Sequence, residues 1–366
     1  MITTKPEYLY IHIPFCKSIC GYCDFAHTVY QKDNVDAYLH ALQKEIKDKQ
    51  INPHLKTIYI GGGTPTSLSY HQLDSLLTIL DSYRSDVQEY TIEINPETLD
   101  EEKVDILKRH GVNRVSIGVQ TTNENLLLLM NRKHTFQDVQ HCVSLLKKSD
   151  INNISIDIMY SLPTQTMEML DSTIQDVLSL QPTHLSLYSL TIEENTLFHK
   201  KGYQHLDDEI EADMYEYIHQ RLENNHFYQY EVSNYCLKGY ESIHNSAYWN
   251  YEDFYGIGCG SSGKENHIRY DHTKFLKEYI SDPNKVDEIQ LSKEDEMFEM
   301  VMMGIRFIKG MNIKLFEDRF HTSFLEVYGN KIQPLFQQGY IEIKDGYFKC
   351  TSKGYEIMNT ILVELM

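Results

Sequence analysis

Six short runs of β-branched and aromatic residues recur along the first half of the chain: YLYIHI (8–13), TIYIGG (57–62), YTIEIN (90–95), RVSIGV (114–119), ISIDIM (154–159) and HLSLYSL (184–190). Each is short, rich in apolar residues and bounded by turn formers, and each reads as a buried strand. Most intervals between them carry a helical period instead. Val35, Tyr38, Leu39, Leu42 and Ile46 fall on one helix face, and Leu73, Leu76, Leu77 and Leu80 on another. Start signals agree, with Ser69 and Gln72, and then Thr98 and Glu101, spaced as capping boxes, while Gly111 stands where a helix C′ residue belongs. Strands alternating with helices imply right-handed crossovers and a parallel sheet. The predicted fold is therefore α/β, an incomplete (β/α)6 parallel barrel over about residues 5–200 of a first domain, 1–205.

A Tyr-rich connecting extension, 206–290, follows. From Leu291 the pattern changes to helices and then a hairpin turning at Lys344, Asp345 and Gly346, which predicts a C-terminal winged-helix-like α+β domain over 291–366. Nine Lys and Arg stand against eleven Asp and Glu in that tail, so it lacks the basic face of a DNA reader and reads as a packing or docking module.

Charge narrows the classes further. The 366 residues carry a formal net charge of -19, which disfavours broad attraction to nucleic acid or anionic lipid. The densest apolar run, LLLLM at 126–130, is far too short to span a bilayer, and no signal-type segment opens the sequence. The expectation is a cytoplasmic protein with at most peripheral membrane contact. Of seven cysteines, Cys142, Cys236, Cys259 and Cys350 are scattered, which suits a reducing compartment and not a disulfide framework.

The other three are clustered. CKSICGYC places Cys16, Cys20 and Cys23 in a CxxxCxxC spacing directly after the first strand. Thiolates this close bind zinc or an iron-sulfur cluster. Zinc requires a closed set of four, for which His12 or Asp24 offers the fourth ligand; a zinc-stabilised interaction scaffold is the reading this supports. A cubane has four irons, so three thiolates leave one iron open for a ligand that is not protein. In parallel α/β sheets working residues collect at the carboxyl ends of strands, and here those ends carry Cys16, GGGTPT, NPE, GVQT and Asp157.

CKSICGYC resembles the motif of the radical S-adenosylmethionine (SAM) superfamily. YLYIHIPFC, GGGTPT, IEINPE, NRVSIGVQ, MNRKHT and DIMYSLPTQT resemble successive motifs of the branch that contains the anaerobic coproporphyrinogen III dehydrogenase and a related group of heme chaperones. The resemblance implies that Cys16, Cys20 and Cys23 ligate a [4Fe-4S] cluster whose open iron is chelated by SAM. A reduced cluster then donates an electron to the sulfonium, giving a 5′-deoxyadenosyl radical. It also implies that Tyr10 and Tyr22 flank the cluster through backbone and packing and that Gly62, Gly63 and Thr64 meet the methionyl amino group. Glu93, Gln120, Arg132 and Asp157 would contact the ribose and carboxylate of SAM; the fork of Arg132 suits a carboxylate.

The dehydrogenase pattern continues CxxCxC, whereas this chain has Phe25 at the last position. That departure, with HNSAYW (244–249) and YGIGCG (255–260), resembles the heme chaperones. The implied cargo is heme, with His244 as its iron ligand, Tyr248 and Trp249 packing on the macrocycle, and Cys259 a weaker choice for lack of a following proline. Implied partners are heme-accepting proteins such as respiratory-chain subunits and bacterioferritin, together with a homodimer. No residue is assigned a catalytic role, and oxidative decarboxylation of coproporphyrinogen III is the alternative activity.

Overall fold

The computed structural model describes residues 5–366. All six apolar runs are strands: β1 (Tyr8–Ile13), β2 (Thr57–Gly62), β3 (Glu89–Ile94), β4 (Arg114–Gln120), β5 (Asn153–Tyr160) and β6 (His184–Ser189). They pair in sequence order, each parallel to the next. Helices α1 (Lys32–Asp48), α2 (Tyr70–Leu80), α3 (Glu101–Arg109), α4 (Phe136–Lys148) and α5 (Met167–Ser179) return the chain between strands. The predicted faces of α1 and α2 are buried, and the central strands are buried on both sides: apolar residues pack under the helices, while Arg114, Ser116 and Asp157 turn into the barrel interior.

The sheet is larger than six strands. After α6 (Asp208–Glu223), the strands β7 (Tyr228–Glu231) and β8 (Asn234–Cys236) add antiparallel pairing beyond β6. Next comes a short helix, α7 (Ile243–Trp249), and then β9 (Tyr255–Ile257) adds in parallel to the outer side of β1. The order across the nine-stranded sheet is thus β9-β1-β2-β3-β4-β5-β6-β8-β7. The YGIGCG segment is therefore an edge strand and its turn. Gly258 has φ +103, and a Cβ there would stand 2.5 Å from the Tyr38 hydroxyl and 2.7 Å from the His12 carbonyl. Glycine is needed on both counts.

One predicted helix start is displaced. Ser69 and Gln72 form the expected capping box, but Thr98 closes a 3-10 turn (Pro96–Thr98), and Asp100 caps α3 by accepting from the Lys103 amide at 3.0 Å. Thr98 instead donates to the Asn95 carbonyl at 2.7 Å, because Pro96 opens a turn of its own before the helix.

Beyond Leu291 the order is helix (Lys293–Gly304), strand (Met311–Asn312), helices (Ile313–Phe320 and Phe324–Gln337) and hairpin (Ile341–Lys344 with Tyr347–Cys350), the order of a winged helix. Asp345 and Gly346 make the hairpin turn, both with positive φ as a two-residue turn requires. Phe316, Phe324 and Phe348 centre a core separate from that of the barrel.

Candidate functional site

The cluster loop is anchored from beneath. The Nε2 of buried His12 lies 2.8 Å from the Ala26 carbonyl, which only accepts, so Nε2 carries the proton and Nδ1 accepts from the Tyr10 hydroxyl at 2.9 Å. Tyr30 and Thr28 amides close the loop onto the Cys16 and Pro14 carbonyls, and the Gly21 amide donates to the Met130 carbonyl. Cys16, Cys20 and Cys23 are free, half-buried thiols on the wall of one cavity of about 390 Å³ at the carboxyl ends of the strands. Burial pushes the Cys16 thiol up to about 11 and that of Cys23 up to about 12. The sulfurs have polar company: the Thr64 hydroxyl is 3.8 Å from Cys16 Sγ and an Arg132 Nη is 3.6 Å from Cys20 Sγ.

The same cavity gathers eight of the nine residues expected at SAM: Tyr22, Gly62, Gly63, Thr64, Glu93, Gln120, Arg132 and Asp157. Tyr10 is the exception. Its hydroxyl is committed to His12 and its ring leans on Tyr59 with centroids 6.0 Å apart, so it supports the wall without lining it. Gly63 has no room for a side chain, since a Cβ would lie 2.8 Å from the Ile13 carbonyl, 2.9 Å from that of Phe15 and 3.0 Å from Cys16 Sγ. Gln120 reaches the rim from a register irregularity at the end of β4, with φ +68. Arg132 donates to the Gly118 carbonyl and leaves its Nε buried without a partner.

Two buried carboxyl groups line the cavity. Glu93 accepts from the Tyr59 hydroxyl at 2.8 Å and the Gly62 amide at 2.9 Å, yet burial lifts its carboxyl to about 7. Asp157 accepts from the Ser116 hydroxyl at 3.0 Å and is lifted by burial to about 6. Tyr59, Arg114, Ser116 and His27 are cavity residues that the sequence reading passed over. Strand alternation was the available signal for some: Tyr59 and Ser116 share strand faces with Gly61 and Gly118, two positions on.

The chemistry of this donor set fits an iron-sulfur cluster with a small charged organic ligand. Of the two expected fourth zinc ligands, His12 has both ring nitrogens engaged, and Asp24 is an exposed residue of the cavity wall. Among the described residues no three His, Cys, Asp or Glu side chains converge as ligands of a single ion would.

His244 is placed elsewhere. Helix α7 closes the opposite, amino-terminal end of the barrel: Glu89, at the start of β3, accepts from the Ser242 hydroxyl at 3.1 Å and from the Ile243 and His244 amides at 2.8 and 3.0 Å. The His244 ring is fully buried, stacked on Tyr59, with Nδ1 2.6 Å from the Thr57 hydroxyl and Nε2 2.8 Å from that of Tyr248. Burial pushes its pKa down to about 3. The residue expected as the iron ligand is thus held at both ring nitrogens by hydroxyl partners. Tyr248 packs edge-on against Phe254, and Trp249 lies under the Arg306 guanidinium, its Nε1 unpartnered. Cys259 is buried, its Sγ 3.2 Å from the Thr273 carbonyl. Asn245 of α7 and Arg114 nonetheless line the cavity, so this helix is its far wall.

Comparison with known proteins agrees with this arrangement. The family model described as Radical SAM superfamily matches residues 10–177, and that of the HemN C-terminal domain matches 291–357. The heme chaperone HemW of Lactococcus lactis is 40% identical over 371 residues, covering 99% of this chain and 98% of the relative. The heme chaperone HemW of Bacillus subtilis is 37% identical over 96% of this chain and 97% of its own. Among solved structures, coproporphyrinogen III oxidase (HemN) from Escherichia coli, a radical SAM enzyme, superposes with a TM-score of 0.86 over 99% of this chain and 90% of that one, at 21% identity. With cysteine loop, strand-end residues and full-length similarity in agreement, the chain belongs to the HemW family within the radical SAM superfamily.

Proposed function

We propose that this chain is a cytoplasmic heme chaperone that holds a [4Fe-4S] cluster through Cys16, Cys20 and Cys23, binds SAM beside it, and passes heme to acceptor proteins such as respiratory-chain subunits or bacterioferritin. The observation that carries the reading is the gathering of three free thiols and eight SAM candidates on one cavity. When bound, the cluster supplies a low-potential electron and an open iron for the amino-acid end of SAM.

The chain's own contribution is orientation and charge. Gly62 and Gly63 let backbone approach a ligand closely, and Thr64 presents a hydroxyl to an ammonium. Arg132 brings a guanidinium with an unpartnered Nε to the place where a carboxylate would sit. Glu93 and Asp157, accepting from Tyr59, Gly62 and Ser116, are held as acceptors for ribose hydroxyls. The loop's exposed Phe25 offers no thiol where the dehydrogenase pattern has one, which favours carriage over porphyrinogen oxidation. Among the described residues no helix is long and apolar enough to cross a membrane.

Anaerobic reconstitution followed by iron, sulfide and zinc analysis tests the cofactor assignment; about four irons per chain is expected, and stoichiometric zinc without sulfide ends it. Heme titration of the reconstituted protein tests the cargo. An assay with reduced protein, SAM and coproporphyrinogen III is expected to give no protoporphyrinogen; its formation would transfer the assignment to the dehydrogenase.

A further inference from the structure

Each of the three loop thiols has one side-chain hydrogen-bond donor. For Cys16 it is Thr64 and for Cys20 it is Arg132, both of which belong to the expected SAM set. For Cys23 it is His27, whose Nδ1 lies 3.6 Å from the sulfur. We infer that His27 is a positioning residue of the cluster loop, which fixes Cys23 and tunes the reduction potential of the cluster bound there. The inference rests on the cluster reading above and adds to it the residue that completes the donor set.

The proton position follows from the neighbours. His27 Nδ1 is also 2.6 Å from the Phe25 carbonyl, which only accepts, so the hydrogen resides on Nδ1 and is shared between that oxygen and Cys23 Sγ. A protonated Nδ1 cannot itself ligate iron. Through that hydrogen His27 would act on Cys23 from outside the ligand set, the usual place for groups that adjust a metal site. A thiolate is a stronger acceptor than a thiol, so loading the cluster draws the shared hydrogen toward sulfur. Hydrogen bonds to cluster sulfurs stabilise the more negative, reduced form and set potential within a wide range. The ring also staples the turn, since it spans Phe25 and Cys23 just before the Thr28 amide returns to the Pro14 carbonyl. Among the described residues His27 is the one histidine that lines the cavity.

The test uses the full chain, reconstituted anaerobically as wild type, His27→Ala, His27→Phe and His27→Asn, with iron and sulfide content, the EPR spectrum of the reduced state and the midpoint potential measured without SAM. Asn keeps a donor close to the position of Nδ1; Phe keeps a ring and removes the donor. All four are expected to load, with Ala and Phe shifted to more negative potential by up to about 59 mV, a tenfold change in a one-electron equilibrium, and Asn close to wild type. Failure of Ala and Phe to load while Asn loads also upholds the assignment. Unchanged potential and EPR in fully loaded Ala and Phe variants overturns it, as does failure of all three variants beside a loaded wild type. A wild-type chain that takes up no cluster would instead refute the cofactor reading itself.

Discussion

The two ends of this barrel carry equally motif-rich sequence, CKSICGYC at one and HNSAYW at the other, and they are built in opposite ways. At the cysteine end bonding capacity is left over: three half-exposed thiols, an Arg132 Nε without a partner, and two carboxyl groups lifted by burial. At the α7 end the central histidine is saturated, held through both ring nitrogens and its own amide. A motif says that residues matter to the molecule; unspent polar capacity says which of them face a ligand. The largest contrast is expected on mutation. Replacing any one of Cys16, Cys20 or Cys23 by Ala is expected to bring bound iron from about four per chain to near background with the fold intact, as read by iron analysis and circular dichroism.

His244→Ala is expected to act in the reverse sense. It opens a cavity, strands the Thr57 and Tyr248 hydroxyls and breaks the stack on Tyr59, which together cost on the order of 2–5 kcal/mol. Urea unfolding should show a lowered midpoint, while the surviving folded fraction loads iron as wild type does. A loss of heme affinity at unchanged stability would break the comparison and return His244 to the role of iron ligand.

The difference between the ends also marks what the sequence could disclose. Strands buried on both faces announce themselves as apolar runs, and cysteine spacing is local, so the barrel and the cluster loop were legible together. His244 was not, because its partner Thr57 lies 187 positions away and Glu89, which receives its amide, 155. No local pattern encodes such pairings. The β9 strand was missed for a related reason: three residues beside glycines fall below any periodic signal, and they become a strand only because β1 leaves an edge open. Thr98 was misread because its spacing to Glu101 satisfies a capping box that Pro96 pre-empts. Tyr10 stands in register with the cavity residue Tyr59, so alternation sends both rings to the same face, and only its hydroxyl bond to His12 keeps it behind the wall.

An intermediate effect is expected from the carboxyl groups. Glu93 and Asp157 hold protons in the folded, cofactor-free chain up to about 7 and about 6, whereas the unfolded chain releases them near the ordinary carboxyl values. The folded state therefore binds more protons between about pH 4 and 7, and its stability falls as pH rises through that window. Glu93→Gln should remove on the order of 2 kcal/mol of this decline, measured by urea midpoints from pH 4.5 to 7.5. An unchanged slope would mean that Glu93 is solvated like a surface acid, and the contrast with the saturated end would lose one of its supports.

The smallest effect is expected at Phe25, whose side chain is 64% exposed on the loop. Phe25→Cys restores the sulfur of the dehydrogenase spacing at a position where little packing is lost, so stability should stay within about 0.5 kcal/mol. Its carbonyl, and not its ring, makes the contact to His27, and a cysteine carbonyl preserves that contact. Iron content and the visible spectrum of the loaded variant should therefore match wild type, and no protoporphyrinogen should form from coproporphyrinogen III. If the added thiol instead enabled that reaction, one rim residue would separate carrier from catalyst, and the cavity's remaining walls would already be those of an oxidase.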